Sequence, residues 1–279
     1  MGYKTILVHV DEARNIDTRI ALAAELALRE DAHLVGAAST GVSRYVYQSM
    51  VASIDSGVID GYMDALQERA ERALRHFEEV VRRIGVASWE ARPAMDEPAG
   101  GLSLQARYCD LCVLGQFDPD ESAPLVQPNL REYVAIHGGA PVLVVPNRWN
   151  RTSPGERCLV AWNASVDAKH ALQAAIPMLR AAGSVDIVVF QNGELDELAG
   201  EQPGLDVAAF LARHGIPVSL QERRVDGEVG HALLALATEV RADMLVMGCY
   251  GHSRFREILL GGATRTVLES MHLPVLMAH

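Results

Sequence analysis

The sequence of 279 residues is short of positive charge, with 25 Lys and Arg against 36 Asp and Glu and a formal net charge of −11 at pH 7. A nucleic-acid binder needs a basic face to replace phosphate counterions, so this deficit argues against that class. It argues equally against docking on an anionic membrane surface. Long apolar runs are missing too: no stretch approaches the roughly 18–20 residues that a membrane-spanning helix requires. Cysteine is scarce, and four in a chain of this size do not make a disulfide scaffold. The opening Met-Gly-Tyr-Lys-Thr-Ile-Leu-Val-His-Val turns acidic at Asp11 and Glu12, before a signal-peptide core could be completed. Two catalytic signatures are also lacking, the Gly-x-Ser-x-Gly nucleophile turn and the Gly-x4-Gly-Lys-Ser/Thr phosphate loop. What remains, 49% hydrophobic and 22% charged residues, is globular composition. The expectation is a cytoplasmic protein of two domains, with no nucleic-acid or membrane partner.

The chain repeats itself. Lys4-Thr-Ile-Leu-Val-His-Val-Asp11 returns as Glu156-Arg-Cys-Leu-Val-Ala-Trp-Asn163, an offset of 152. Asp110-Leu-Cys-Val-Leu-Gly115 returns as Asp243-Met-Leu-Val-Met-Gly248, and Pro141-Val-Leu-Val-Val145 as Pro274-Val-Leu-Met-Ala278, both at 133. The difference of 19 residues places an insertion in the first copy, assigned to Val42–Gly61. The polar segment Asn147–Gly155, with its Pro and Gly, reads as the linker. The domains are therefore expected over 1–146 and 156–279.

Each copy alternates short apolar runs with helical stretches. The runs 4–10, 32–39, 109–115 and 141–145 fit strands buried on both faces, as in a parallel sheet. Leu66, Ala70, Ala73, Phe77, Val81 and Ile84 recur at helical spacing, and Gly85 ends that helix. In the second copy Ser165 is placed to cap a helix carrying Ala168, Leu172, Ala175 and Leu179, which Pro177 should kink or shorten. The pattern predicts an α/β fold of two tandem doubly wound domains, with ligands beyond the carboxyl ends of the strands.

After Met244-Leu-Val-Met247 comes Gly248-Cys-Tyr-Gly251, then nine residues to Gly261-Gly262-Ala263-Thr264, which opens a helix-compatible stretch. Glycine at a strand end lets backbone approach a phosphate, and a helix start offers free N–H groups to an anion. A turn plus a helix cap is the plainer reading of such glycines. The spacing Gly-x2-Gly-x9-Gly, with Glu257-Ile-Leu-Leu and Pro274-Val-Leu-Met around it, resembles the universal stress protein family, tandem type. The resemblance runs through both halves. It implies a five-stranded parallel sheet flanked by helices in each domain, and ATP, with Mg²⁺, at this loop. Carried over by position, Gly248 and Gly251 would lie against ribose and α-phosphate. Gly261, Gly262 and Ala263 would give N–H groups to the β- and γ-phosphates, at a helix start that includes Thr264. Ala161 and Asn163 would border adenine, and Gln191 would meet the base through its main chain. The resemblance also implies an intrachain pseudo-dimer about the strands 141–146 and 274–278, and leaves a further homodimer open.

The sequence departs from the family pattern in both copies. Gly262 stands where a Ser or Thr is usual, and Asn163 where the first strand usually carries an acid, which predicts weaker binding. In the first copy Asp11 and Gly115 are kept, but Gly251, Gly261 and Gly262 become Asp118, Pro128 and Asn129. Asp118, Asp120 and Glu121 would oppose phosphates, and Pro128 has no N–H to give. Residues 1–146 carry a net −8 and residues 147–279 a net −3. The first copy is therefore expected to be silent toward nucleotides.

Other residues are weighed against plainer roles. Cys109-x-x-Cys112 has redox or zinc spacing, but no second pair completes a metal site and the pair enters a strand. His252 and Arg254 follow Gly251 and can meet phosphate or only solvent; Arg265 likewise. His9 reads as a core or edge histidine. The insertion residues Tyr45, Tyr47, Met50, Val51, Ile54, Val58 and Ile59 suit packing or a dimer contact, or else a lid over an apolar cleft. Three functions follow: an ATP-binding stress-response module acting through the second half, a nucleotide-free interaction protein of the same fold, and a slow ATP hydrolase. The last would need a water-positioning base, and none is evident near the loop, so a binding role is favoured over an enzyme.

Overall fold

The computed structural model describes residues 2–42, 56–120, 128–151, 153–191, 203–225, 227–249 and 262–279. Contacts divide the chain into one unit over Tyr3–Ala140 and a second over Pro141–His279, which also takes in Gly2.

The first unit alternates β1 (Thr5–His9), α1 (Ile16–Glu30), β2 (His33–Ser39), α2 (Ser56–Ile84), β3 (Trp89–Ala94), α3 (Pro98–Ala106), β4 (Leu111–Gly115) and α4 (Leu130–His137). Its strands lie in the order β3-β2-β1-β4 and the pairs β1·β2, β2·β3 and β1·β4 are parallel. Ile6, Leu7, Val8, Leu111, Cys112, Val113 and Leu114 are fully buried, as strands covered on both faces must be. Gly85 ends α2 at φ +89°, its N–H on Val81 O, a conformation that glycine adopts without a Cβ clash.

The helix α2 begins ten residues before Leu66, inside the segment assigned to the insertion. Gly57 and Gly61 mask its first turns in the sequence. Ile59, Met63 and Leu66 form a small apolar cluster with Val42, so Ile59 is a packing residue. Tyr45, Tyr47, Met50, Val51 and Ile54 lie outside the described residues. Further along, Arg69 and Arg72 pair with Glu12, and His76 with Asp17, which pins α2 to the first turn of α1 and the loop before it.

The second unit contains β5 (Val142–Val145), β6 (Arg157–Ala161), α5 (Val166–Ala181), β7 (Ser184–Gln191), α6 (Pro203–Arg213), β8 (Ser219–Arg224), α7 (Val229–Glu239), β9 (Met244–Gly248), α8 (Gly262–Ser270) and β10 (Val275–Ala278). The order is β5-β10-β9-β6-β7-β8, parallel from β10 to β8. Strand β5, the fifth strand of the first repeat, clusters with this unit and pairs antiparallel with β10. There Leu143 stands opposite Leu276, its own counterpart at the repeat offset of 133. Helix α5 starts as expected, Ser165 Oγ accepting from Ala168 N at 3.1 Å. Pro177 does not shorten it: α5 runs on to Ala181, its last turns anchored by buried Met178 and Leu179.

Candidate functional site

In the second unit β6 and β9 are parallel neighbours, so their carboxyl ends bring Ala161, Asn163 and Gly248 to one edge of the sheet. The chain leaves β6 through Ala164 at φ +57°. Asn163 Oδ1 accepts from Ser165 N at 3.2 Å and Ser165 Oγ at 2.7 Å, and Ser165 in turn caps α5. The Asn163 amide is thus part of a turn that starts a helix. Gly248 is required by close approach: a Cβ there would stand 2.5 Å from Ala168 N, in the first turn of α5. Gln191 closes β7 opposite Arg224.

Gly262, Ala263 and Thr264 form the first turn of α8, with Gly262 exposed and Thr264 buried. That turn has no acidic side chain of its own. Among the described residues, a Cβ on Gly262 would meet one atom within 4 Å, Glu228 Oε1 at 3.9 Å. Glu228 lies before α7, bonds Thr266 Oγ1 and holds His231 Nδ1 at 3.1 Å. Gly251, His252, Arg254 and Gly261 lie outside the described residues.

The corresponding edge of the first unit is built differently. Arg19 reaches from α1 to Asp11 after β1, with Nη1 3.3 Å from Oδ2 and Nη2 bonded to Oδ1. The same guanidinium covers Gly115, the last residue of β4: a Cβ there would be 2.8 Å from Nη1 and 3.2 Å from Cζ. Arg131, from α4, donates its Nε to Gly115 O at 2.5 Å. Both arginines are buried, Arg19 at 1% exposure. His9 Nδ1 sits 3.5 Å from Asp11 Oδ2.

Burial sets the electrostatics of this cluster. Desolvation would raise the Asp11 carboxyl, but the Arg19 guanidinium, His9 and the Ala13 N–H hold it well below the usual carboxylate range. Burial pushes His9 down to about 4, against the pull of Asp11 and with the help of the Arg19 charge. Burial also lowers Arg131 to about 10, with the Arg19 charge adding to it and Asp11 and Glu132 opposing. Asp118 accepts from Asp120 N at 3.0 Å in its own turn.

Neither arginine stands out in the sequence as a site residue. A signal is there nonetheless: Arg19 shares the buried face of α1 with Ala23 and Leu26, where an apolar residue belongs.

The Cys109–Cys112 pair lacks thiolate character. Burial raises the Cys109 thiol to about 11 and Cys112 further still, and Cys109 donates to Gln105 O at 3.4 Å. No group of three His, Cys, Asp or Glu among the described residues is arranged to hold a metal ion. No helix among them is long and apolar enough to cross a membrane.

Two doubly wound units, each with its strand ends at a switch of winding direction, define a tandem α/β fold. Residues 155–279 match the universal stress protein family, and this half of the chain is a universal stress protein domain. The whole chain resembles the crystal structure of a universal stress protein from Archaeoglobus fulgidus DSM 4304. The likeness has a TM-score of 0.76 at 19% identity and covers 98% of this chain and 95% of that one. A functionally unknown protein from Pseudomonas aeruginosa PAO1 is similar at TM-score 0.59 and 18% identity, covering 98% and 92%. At these identities the likeness is one of fold. No curated protein sequence matches the chain.

Proposed function

We propose that the chain is a stress-response module that binds an adenine nucleotide, ATP, at the strand ends of its second unit. The observation that carries this reading is the start of α8. Gly262 is exposed, among the described residues its Cβ direction meets only Glu228, and no acidic side chain belongs to the first turn. The N-terminal end of the helix dipole there suits a phosphate. Gly262, Ala263 and Thr264 would hold phosphates together with Gly261 and Gly251 of the glycine loop, and His252 and Arg254 would add positive charge. Ala161 and Asn163 would border the base, with the Gln191 main chain beside it. A bound Mg²⁺ would neutralise phosphate charge. The role is that of a binding module, acting in the cytoplasm.

A second reading, a nucleotide-free interaction module of the same fold, draws on Asn163. Its Oδ1 is already engaged by Ser165 N and Oγ.

Isothermal titration with ATP and Mg²⁺ separates the two, with Gly262→Asp as the control. An acidic residue in a first turn favours the helix while opposing phosphate, and thermal unfolding of the variant checks its fold beside Glu228, whose Oε1 is 3.9 Å from the new Cβ. One saturable site per chain, lost in the variant, supports the nucleotide reading. No heat at millimolar ATP overturns it and leaves the interaction module.

A further inference from the structure

The first unit holds a charged side chain where doubly wound units take their ligands. Strands β1 and β4 are parallel neighbours in register Ile6↔Leu111 to Val8↔Val113. On one side of β1 the order runs to β2 and β3, and on the other stands β4. The winding changes direction between β1 and β4, and the crevice beyond their carboxyl ends is the expected ligand position. Asp11 and Gly115 flank it, and the guanidinium of Arg19 joins them.

We propose that Arg19 is the resident occupant of this crevice: the first unit is a guanidinium-binding site filled by the chain's own side chain, and therefore a closed unit that needs no external ligand.

Three observations support it. First, the pocket is shaped to a guanidinium. A carboxylate receives Nη1 and Nη2, the fork geometry that arginine prefers, and the glycine leaves room for the flat group on its Cβ side. Second, the charges close within the cluster. Arg19 and Arg131 are matched by Asp11 and Glu132, and His9, with its low proton affinity, stays neutral. Third, the equivalent position differs in the second unit: at the offset of 152 Arg19 becomes Ala171, buried on α5, and Gly248 meets the α5 backbone directly. The two copies have diverged at the residue that fills the crevice.

Arg19 Nε has no hydrogen-bond acceptor among the described residues. The side chain is tethered to α1, and a free guanidinium ion can turn to satisfy what Arg19 cannot. This gives the test. Arg19→Ala removes the occupant and strands Asp11. Its thermal midpoint should fall by about 5 °C or more, and tens of millimolar guanidinium chloride should restore part of the loss, saturably and beyond the effect of equal NaCl. The natural chain and Asp11→Asn/Arg19→Ala should show only the ordinary destabilisation by guanidinium. If Arg19→Ala does not fold, Arg19→Met keeps the stem and serves a double-mutant cycle with Gly115→Ala. The new Cβ should destabilise the natural chain, where it meets Nη1, and be tolerated in the Arg19→Met background. An unchanged midpoint in Arg19→Ala, recovery no greater than with NaCl, or additivity of Gly115→Ala and Arg19→Met would overturn the proposal. None of these readouts depends on nucleotide binding by the second unit.

Discussion

The ring of Phe77 lies against Gly36: a Cβ at position 36 would stand 2.6 Å from both Cδ1 and Cε1. Gly36 is on β2 and Phe77 on the buried face of α2, fully covered and edge-on to Trp89 at 6.1 Å. Glycine is thus set by packing, since any side chain would lift α2 from the sheet. Gly36→Ala is expected to destabilise by about 1–3 kcal/mol, measured by urea unfolding. Adding Phe77→Leu should recover part of that loss, because the smaller side chain gives room. Strict additivity of the two changes would contradict the contact.

Asp110 and Asp243, equivalent at the repeat offset, do the same work in each half. Asp110 Oδ2 accepts from Lys4 N at 2.7 Å and Thr5 N at 2.9 Å. Asp243 accepts from Gly155 N, Glu156 N and Arg157 N at 3.1, 3.2 and 2.9 Å, and pairs with Arg151 at 3.1 Å. Each carboxylate ties the amides at the start of one strand to the start of its neighbour. Asp243 is buried and has three such donors, so Asp243→Ala should lose about 2 kcal/mol or more and Asp110→Ala less. Unfolding curves for the two variants, compared side by side, decide the order.

The parts of this fold that were legible in the sequence are those repeated in it. β4 and β9 show as continuous apolar runs because both faces are covered, and Ser165 shows as a cap because its hydroxyl has one suitable use there. The start of α2 was hidden, since Gly57 and Gly61 break the pattern that Ile59 and Met63 continue. Gly248 was readable as a place of close approach. That the approaching group in this structure is the first turn of α5 is a tertiary fact that no spacing carries. Arg19 is quiet in the sequence for a related reason: periodicity counts apolar residues, and a charge on the buried stripe gains its meaning only from its partner.

The low proton affinity of His9 makes a prediction about pH. Burial takes its pKa from the ordinary 6.5 down to about 4. The unfolded chain therefore binds a proton more readily between these values. The contribution of His9 to stability is full above about pH 6.5 and is lost as pH falls toward 4. The loss can reach ~3 kcal/mol. Asp11, held low by Arg19, adds a second loss below about pH 4, where the unfolded carboxylate takes up its proton. Urea unfolding from pH 7 to 4 should show a falling stability that His9→Gln flattens. A variant curve as steep as that of the natural chain would place the effect in another group.

Glu97 and Glu228 stand at matching helix starts and are used in opposite ways. Glu97 caps its own helix, accepting from Ala99 N at 3.1 Å and Gly100 N at 2.5 Å. Glu228 makes no cap bond and turns instead to Thr266 on α8 and to His231. Helices α7 and α8 cross closely there: a Cβ on Gly230 would lie 2.7 Å from Thr266 Cβ. Glu97→Ala should thus lose about 1 kcal/mol, the usual worth of a cap. Glu228 is 44% exposed, and Glu228→Gln keeps an acceptor for Thr266, so its stability should stay within about 0.5 kcal/mol. On the proposed function, phosphates at the first turn of α8 meet the Glu228 carboxylate, and a divalent cation relieves that repulsion. Removing the charge should raise the affinity for ATP without Mg²⁺ about fivefold and narrow the difference between Mg²⁺ and chelator. Titration of both proteins with and without EDTA reads this directly. Equal Mg²⁺ dependence in the two would mean that Glu228 serves only the crossing of α7 and α8.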